Sequence, residues 1–268
     1  MIGRMDRQVA VITGGTSGIG EATAELFVRE GAAVVIAGRA ERKGTEIVRR
    51  LGASASFQRA DVTIPSDIEA LIAFAVARHG RIDCLFNNAG APSRGDVETV
   101  TEEDFDRCFK LLVGSVVFGI KYAAPIMKRQ GSGCIINNSS VAAHRLNQGG
   151  TLYTAAKAAV SHYTRVAGMA LGPYGVRVNS ISPGAIATPI FWGGSERERT
   201  LDPTENARKM DKLKANLAIA TPLPRAGLPE DVARAALFLA SAEGSFVNCH
   251  DLVVDGGRIA NFYERSKG

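Results

Sequence analysis

Tyr153 and Lys157 stand four residues apart, a spacing that puts both on one side of a helix, so an ammonium can sit beside a phenol and stabilise its phenolate. With Ser140 upstream of them, the set is an acid/base suited to moving a proton to or from an alcohol oxygen. Near the N-terminus runs Thr13-Gly14-Gly15-Thr16-Ser17-Gly18-Ile19-Gly20. A strand ending at Thr13, then glycines, then a helix lets the backbone approach a pyrophosphate, with amide donors and the positive end of the helix dipole facing it. The spacing, Gly14-x-x-x-Gly18-x-Gly20, differs from the commoner Gly-x-Gly-x-x-Gly.

Short apolar runs alternate with longer amphipathic patterns along the chain. Strands are expected at Val9 to Thr13, Ala33 to Ala37, Ser54 to Arg59, Cys84 to Asn87, Cys134 to Asn138, Val176 to Ile181 and Leu252 to Val254. Helices are expected at about Gly18 to Glu30, Arg42 to Leu51, Asp67 to His79, Glu103 to Arg129, and through Tyr153 to Leu171. Strands this apolar, separated by helices, imply an α/β fold with a single doubly wound parallel sheet covered on both faces. One domain over residues 1–268 accommodates it. Ser66 followed by Glu69 resembles a capping box at the start of a helix. Only Gly184 to Pro229 breaks the rhythm, with Thr188-Pro189, Gly193-Gly194-Ser195, Pro222 and Pro224 around a helical patch near Thr204 to Leu217. Such an excursion reads as a functional lid over about residues 185–228.

Hydrophobic residues make up 46% of the chain and charged ones 22%, which supports a sizeable core and excludes disorder. The net charge of +5 is spread, and the runs Arg39 to Arg50 and Glu196 to Lys214 alternate in sign. A nucleic-acid partner is therefore not expected. Cys84, Cys108, Cys134 and Cys249 are far apart in the sequence without ligand-like spacing, and read as reduced core thiols rather than a metal site. Met1 to Arg7 carries no apolar signal stretch, and no run approaches the roughly 18 apolar residues of a membrane span. A soluble cytoplasmic protein with no membrane partner is the expectation.

The choice of dinucleotide is read at the end of the second strand, where an acidic side chain would bind a ribose 2′-hydroxyl. Ala37-Gly38-Arg39 stands there instead, leaving room for a 2′-phosphate and offering it a guanidinium. NADP(H) is favoured over NAD(H). The alternative is that Arg39 is a solvated loop charge, with Glu41 nearby to repel a phosphate.

Over essentially its whole length the chain resembles the short-chain dehydrogenase/reductase family. The resemblance rests on the glycine loop, Asp61-Val62, Asn87-Asn88-Ala89-Gly90, Ser140, Tyr153-x-x-x-Lys157, and Asn179 through Pro183-Gly184 to Thr188. It implies that Tyr153 exchanges a proton with the substrate oxygen, that Ser140 holds that oxygen, and that Lys157 lowers the tyrosine pKa and binds the nicotinamide ribose. It further implies a cofactor groove of Gly14, Thr16, Ser17, Gly18, Ile19, Gly20, Arg39, Asp61, Val62, Asn88, Ala89, Gly90, Pro183, Gly184, Ile186 and Thr188. Asp61 would contact adenine, or else only cap a turn.

One position departs from the family pattern. Where the family usually has an asparagine that helps hold a water against the lysine, the alignment places Leu112. Three arrangements stay open: a backbone carbonyl holds the water alone, Ser115 substitutes, or the proton relay is impaired. On the substrate side, Ser93, Val141, His144, Phe191 and Trp192 flank the reacting centre. An apolar clamp of Phe191 and Trp192 suggests a medium-sized hydrophobic alcohol or ketone, unless both rings only pack the lid. His144 either meets a polar substituent or faces water. The resulting expectation is an NAD(P)-dependent alcohol dehydrogenase or ketone reductase with a small-molecule partner, assembled as a homotetramer or homodimer. Two alternatives remain: a 3-oxoacyl carrier-protein reductase, in which Tyr174 stands where a basic residue is usual, and a catalytically impaired cofactor-binding regulator.

Overall fold

Every residue of Val9–Thr13 is buried, a pattern that a strand adopts only when both faces of its sheet are covered. The computed structural model, which describes residues 3–192 and 200–260, places this strand, β1, third in a sheet of seven. The others are β2 (Ala33–Gly38), β3 (Ala55–Arg59), β4 (Cys84–Asn87), β5 (Gly133–Asn138), β6 (Val176–Pro183) and β7 (Asp251–Val254). All pair in parallel in the order β3-β2-β1-β4-β5-β6-β7. The order reverses between β1 and β4, and at such a switch point a crevice opens beyond the carboxyl ends of the strands.

Helices α1 (Gly18–Arg29), α2 (Glu41–Leu51), α3 (Pro65–His79), α4 (Glu102–Phe109), α5 (Ser115–Gln130), α6 (Thr151–Leu171), α7 (Pro203–Ile219) and α8 (Pro229–Ala240) connect the strands. Alternate residues of β1 feed two cores. Ala10 and Ile12 pack with Phe27 of α1 and with Val232, Ala236 and Leu237 of α8. Val11 faces the opposite side with Leu71 of α3, Ile120 of α5 and Val160 of α6.

Several expectations are corrected. The helix expected from Glu103 to Arg129 is two, joined by a π turn at Lys110–Gly114 in which the Ser115 amide reaches back to the Lys110 carbonyl. Ser66 does not cap α3: Pro65 occupies the first turn, and the residue before it, Ile64, makes no side-chain cap bond. Glu102–Gln130 is long and apolar enough, by length and composition, to cross a membrane; its lysines are spread widely enough to leave the average hydropathy high. In this fold it packs against α3 and α6. Cys84 and Cys134, distant in sequence, are register partners on neighbouring strands. They are free thiols, and the hydrogen bond between them, with burial, pushes the Cys84 thiol up.

The excursion after β6 is pinched at its base. Ile186 pairs with Gly227, the Ala187 amide donates to the Gly227 carbonyl at 2.8 Å, and the Gly227 amide donates to the Ala185 carbonyl at 3.0 Å. Within it Leu217 of α7 packs on Ala185, Ala187 and Ala226. Gly193-Gly194-Ser195, and Glu196 at the start of the charged run, lie outside the described residues. Because α1 closes one core through Phe27, which is fully buried, Phe27→Ala is expected to cost about 3–5 kcal/mol of stability. Denaturant unfolding measures it, and a loss below about 1 kcal/mol would refute this packing.

Candidate active site

A cleft of about 970 Å³ opens over the carboxyl edge of the sheet. Its floor begins at the glycine loop. Gly14 and Gly18 have φ of +64° and +53°, values open to glycine without strain. A Cβ at Gly14 would come within 2.9 Å of the Ala89 backbone. Ser17 caps α1 with no side-chain bond to the helix, so the first-turn amides and the positive end of the dipole face the cleft. This cradle, closed by Thr188 beside Gly18, fits the pyrophosphate of a dinucleotide.

Gly14, Thr16, Ser17, Gly18, Ile19, Arg39, Asp61, Val62, Asn88, Ala89, Gly90, Pro183, Gly184, Ile186 and Thr188 all line the cleft, with Ser140, Tyr153 and Lys157. Gly20 does not. It lies beneath the loop, where a Cβ would come within 2.3 Å of the Gly14 carbonyl oxygen, so it serves close packing. Asn88 lines the groove chiefly as a brace, its Nδ2 donating to the carbonyls of Thr13 at 3.0 Å and Gly14 at 3.3 Å. Asp61 both lines the cleft and caps a turn, accepting from the Thr63 amide at 2.9 Å and hydroxyl at 2.7 Å. Burial pushes its carboxyl up, but those two bonds and the charges of Arg39 and Arg59 hold it below the usual range.

Helix α6 carries Tyr153 and Lys157 on one side, and the Lys157 ammonium lies 5.5 Å from the centre of the Tyr153 ring. Ser140 begins a 3-10 turn and its oxygen accepts from the Ala142 amide at 3.1 Å. That bond occupies a lone pair and leaves the hydroxyl proton free to donate toward the phenol. Burial pushes the Tyr153 phenol up, with Ser140 opposing it. The net shift of the phenol is thus upward. Tyr153 sits against an apolar wall of Cys108, Leu112 and Ala156, and burial drives Lys157 itself down to about 8.

Leu112 lies in the π turn, buried next to Gly90. Ser115 does not replace the missing asparagine, because its hydroxyl donates to the Leu111 carbonyl of its own helix at 2.6 Å. Lys157 instead donates to the Asn138 backbone carbonyl at 2.6 Å. A carbonyl dipole, with no polar side chain from the helix opposite, holds the ammonium.

Substrate-side expectations divide. Val141, Phe191 and Trp192 line the cleft. Ser93 faces α6 instead, its hydroxyl accepting from the Tyr153 amide at 3.1 Å. His144 is turned to the rear, its Nε2 2.9 Å from Asp251 and 3.3 Å from the Ser182 hydroxyl. That rear network was not read from the sequence. Asp251 also accepts from Ser161 at 2.6 Å and Ser182 at 2.8 Å, and Ser161 meets Ser139, the neighbour of Ser140, at 2.7 Å. The only signal was an acid at the start of an apolar strand. Among the described residues no cluster of His, Cys, Asp or Glu is arranged to hold a metal.

A family model described as enoyl-(acyl carrier protein) reductase matches residues 14–258. Short-chain dehydrogenase reductase ATA1 of Arabidopsis thaliana is 38% identical over 95% of this chain and 93% of its own. The chain belongs to the short-chain dehydrogenase/reductase family. Cyclopentanol dehydrogenase of Comamonas testosteroni is 36% identical over 97% of this chain and 100% of its own, and (+)-borneol dehydrogenase 2 of Salvia officinalis is 39% identical over 95% and 90%. Membership in this family of dehydrogenases and reductases makes the chain an NAD(P)-dependent oxidoreductase.

A base in this site is the tyrosine–lysine pair one proton poorer, and with Lys157 brought down to about 8 the pair as a unit gives up its first proton in that range. Alcohol oxidation should therefore rise with pH through a midpoint near 8, and ketone reduction should fall through the same midpoint. Leu112→Asn, by giving the ammonium a polar partner, should move the midpoint up. Oxidation rates flat from about pH 6 to 10 would overturn this account.

Proposed function

We propose that this protein interconverts a secondary alcohol and a ketone on a medium-sized hydrophobic substrate, using NADP(H) in preference to NAD(H). The observation that carries the reading is that Ser140, Tyr153 and Lys157 converge on one cleft with the glycine cradle and with Pro183, Gly184 and Thr188. When bound, the dinucleotide supplies the hydride donor or acceptor. The chain supplies orientation and a proton path. The Tyr153 hydroxyl exchanges a proton with the substrate oxygen, the Ser140 hydroxyl donates to that oxygen, and the Lys157 ammonium holds the phenolate and the nicotinamide ribose. Ile190, Phe191, Trp192, Val141 and Leu217 give the cleft an apolar wall. The names of two relatives, cyclopentanol and borneol dehydrogenase, support an alicyclic alcohol.

Support for NADP(H) comes from the end of β2. Arg39 and Gly38 line the cleft with no acid at the strand end, and a side chain at position 38 would strike Thr16. A cytoplasmic homotetramer or homodimer is proposed as the working form, since Val166 and Met169 of α6 and Phe246 are exposed and apolar surface of this kind favours self-association. A 3-oxoacyl carrier-protein reductase is less favoured because Tyr174, rather than a basic residue, precedes Gly175. A regulator without catalysis is less favoured because all three acid/base residues are in place.

Tyr153→Phe should lower kcat on cyclic secondary alcohols by about 100- to 10,000-fold while leaving dinucleotide affinity nearly unchanged; preserved turnover would refute the mechanism. Arg39→Ala should reduce the ratio of NADPH to NADH affinity by roughly tenfold or more, since a charged hydrogen bond to phosphate is lost. Titration of both cofactors measures it, and an unchanged ratio would return Arg39 to the status of a loop charge.

A further inference from the structure

The cleft is lined, among the described residues, by the cations Arg39, Arg107, Lys157 and Arg258 and by the single carboxylate Asp61. Arg39 and Asp61 lie at the dinucleotide end and Lys157 belongs to the acid/base set. Arg107 and Arg258 remain without a role in that chemistry.

Arg258 is held by neutral groups rather than by an acid among the described residues. Its Nε donates to Gln148 Oε1 at 2.6 Å and its Nη1 to the Ala220 carbonyl at 2.7 Å. Its own carbonyl accepts from Arg145 at 2.6 Å. Every one of these partners is a neutral oxygen or a donor. The carboxylate nearest in sequence, Asp255, is committed to the backbone amides of Gly257 and Ile259, both at 2.7 Å. Arg258 forms no ion pair among the described residues.

Its position is tied to the reacting centre. Gln148, which grips the guanidinium, adjoins Gly149, where a Cβ would stand 2.7 Å from Cδ1 of Tyr153. The loop is bent to this shape by Asn147, a non-glycine residue at φ +60°, a conformation asparagine tolerates better than most. On the far side Ala220 ends α7, the helix of the excursion. Two of the five guanidinium donors are engaged among the described residues, and Arg258 lines the cleft together with Leu217, Val141 and Phe191. A half-buried fork of donors with no counter-charge among the described residues matches a planar anion.

We propose that Arg258 is a specificity residue for a carboxylate, so that the substrate is a hydroxy or oxo acid whose hydrophobic body joins the carbinol carbon to the acid. This rests on the alcohol–ketone reading above and narrows its substrate class. Arg107, on α4 at the same cleft, adds positive potential that draws such an anion in.

The test compares ring-borne hydroxy acids, such as 3-hydroxycyclohexanecarboxylate, with their methyl esters and with cyclohexanol, on the full chain with NADP⁺. The acid is expected to exceed its ester in kcat/KM by about 10- to 100-fold, the range of one charged hydrogen-bonded contact. Arg258→Met should abolish that advantage while the variant still oxidises the ester, and Arg258→Lys, which keeps charge without the fork, should fall between. Thermal unfolding of each variant shows whether it folds, and calorimetric titration of the acid into the NADP⁺ complex reads recognition without turnover. Equal handling of acid and ester by the wild type, no binding of any acid of the series, or an equal loss on both substrates in Arg258→Met would overturn the proposal. Oxidation of cyclohexanol and ester without preference for the acid would do so while leaving the alcohol–ketone reading intact. Absence of turnover on every alcohol, with the acid still bound through Arg258, would instead uphold the anion site and defeat that reading.

Discussion

A line of hydrogen bonds across the carboxyl edge of the sheet sets the geometry on which the site depends. Asn88 takes hold of the end of β1, with its amide on the Thr13 hydroxyl at 3.0 Å and its side chain on the carbonyls of Thr13 and Gly14. Its Oδ1 accepts from Asn138 at the end of β5 at 2.9 Å, and the Asn138 carbonyl receives the Lys157 ammonium. The phosphate cradle and the catalytic helix are thereby indexed to one another through two amides. Behind this line Asn87 donates to Asn137, and Asn137 to Thr164 of α6, both at 2.9 Å. Inside a protein such bonds are costly to break and therefore hold register well. Gly119 belongs to the same constraint, since a Cβ there would come within 2.3 Å of Asn87 Oδ1.

The acid/base pair is built against the tendency of its surroundings. The Tyr153 phenol, set against Cys108, Leu112 and Ala156, and the buried Lys157 ammonium both lose the hydration that favours their charged forms. One carbonyl dipole and one serine proton act in the other direction. Burial still wins on both groups, pushing the phenol up and bringing the ammonium down to about 8. The π turn contributes directly, because its extra residue brings Leu112 against the lysine side of the cleft.

Much of this architecture was legible in the chain. Strands such as β1 and β2 are almost wholly apolar, so their positions followed from composition, and Val9–Thr13 and Cys84–Asn87 have the expected bounds. The cradle could be read because glycine at positive φ leaves a mark in sequence that few other requirements leave. The interruption at Lys110–Gly114 was hidden, since a π turn preserves helical periodicity on either side and uses ordinary residues. The Asp251 network was hidden for another reason. Its members come from the loop after β5, from α6, β6 and β7, and side-chain partnerships across such separations have no local signature. Pro65 displaced the cap expected at Ser66 because a fixed φ without an amide suits the first turn of a helix.

The bridge between Ile186 and Gly227 makes the excursion a detachable appendix in an evolutionary sense. A loop whose two ends already meet costs little more when its contents lengthen or change, since closure entropy grows only with the logarithm of its length. Substitutions within α7 alter one wall of the cleft while the strands, the cradle and Tyr153 keep their places. Substrate preference can drift across descendants of such a chain while the proton chemistry is inherited unaltered.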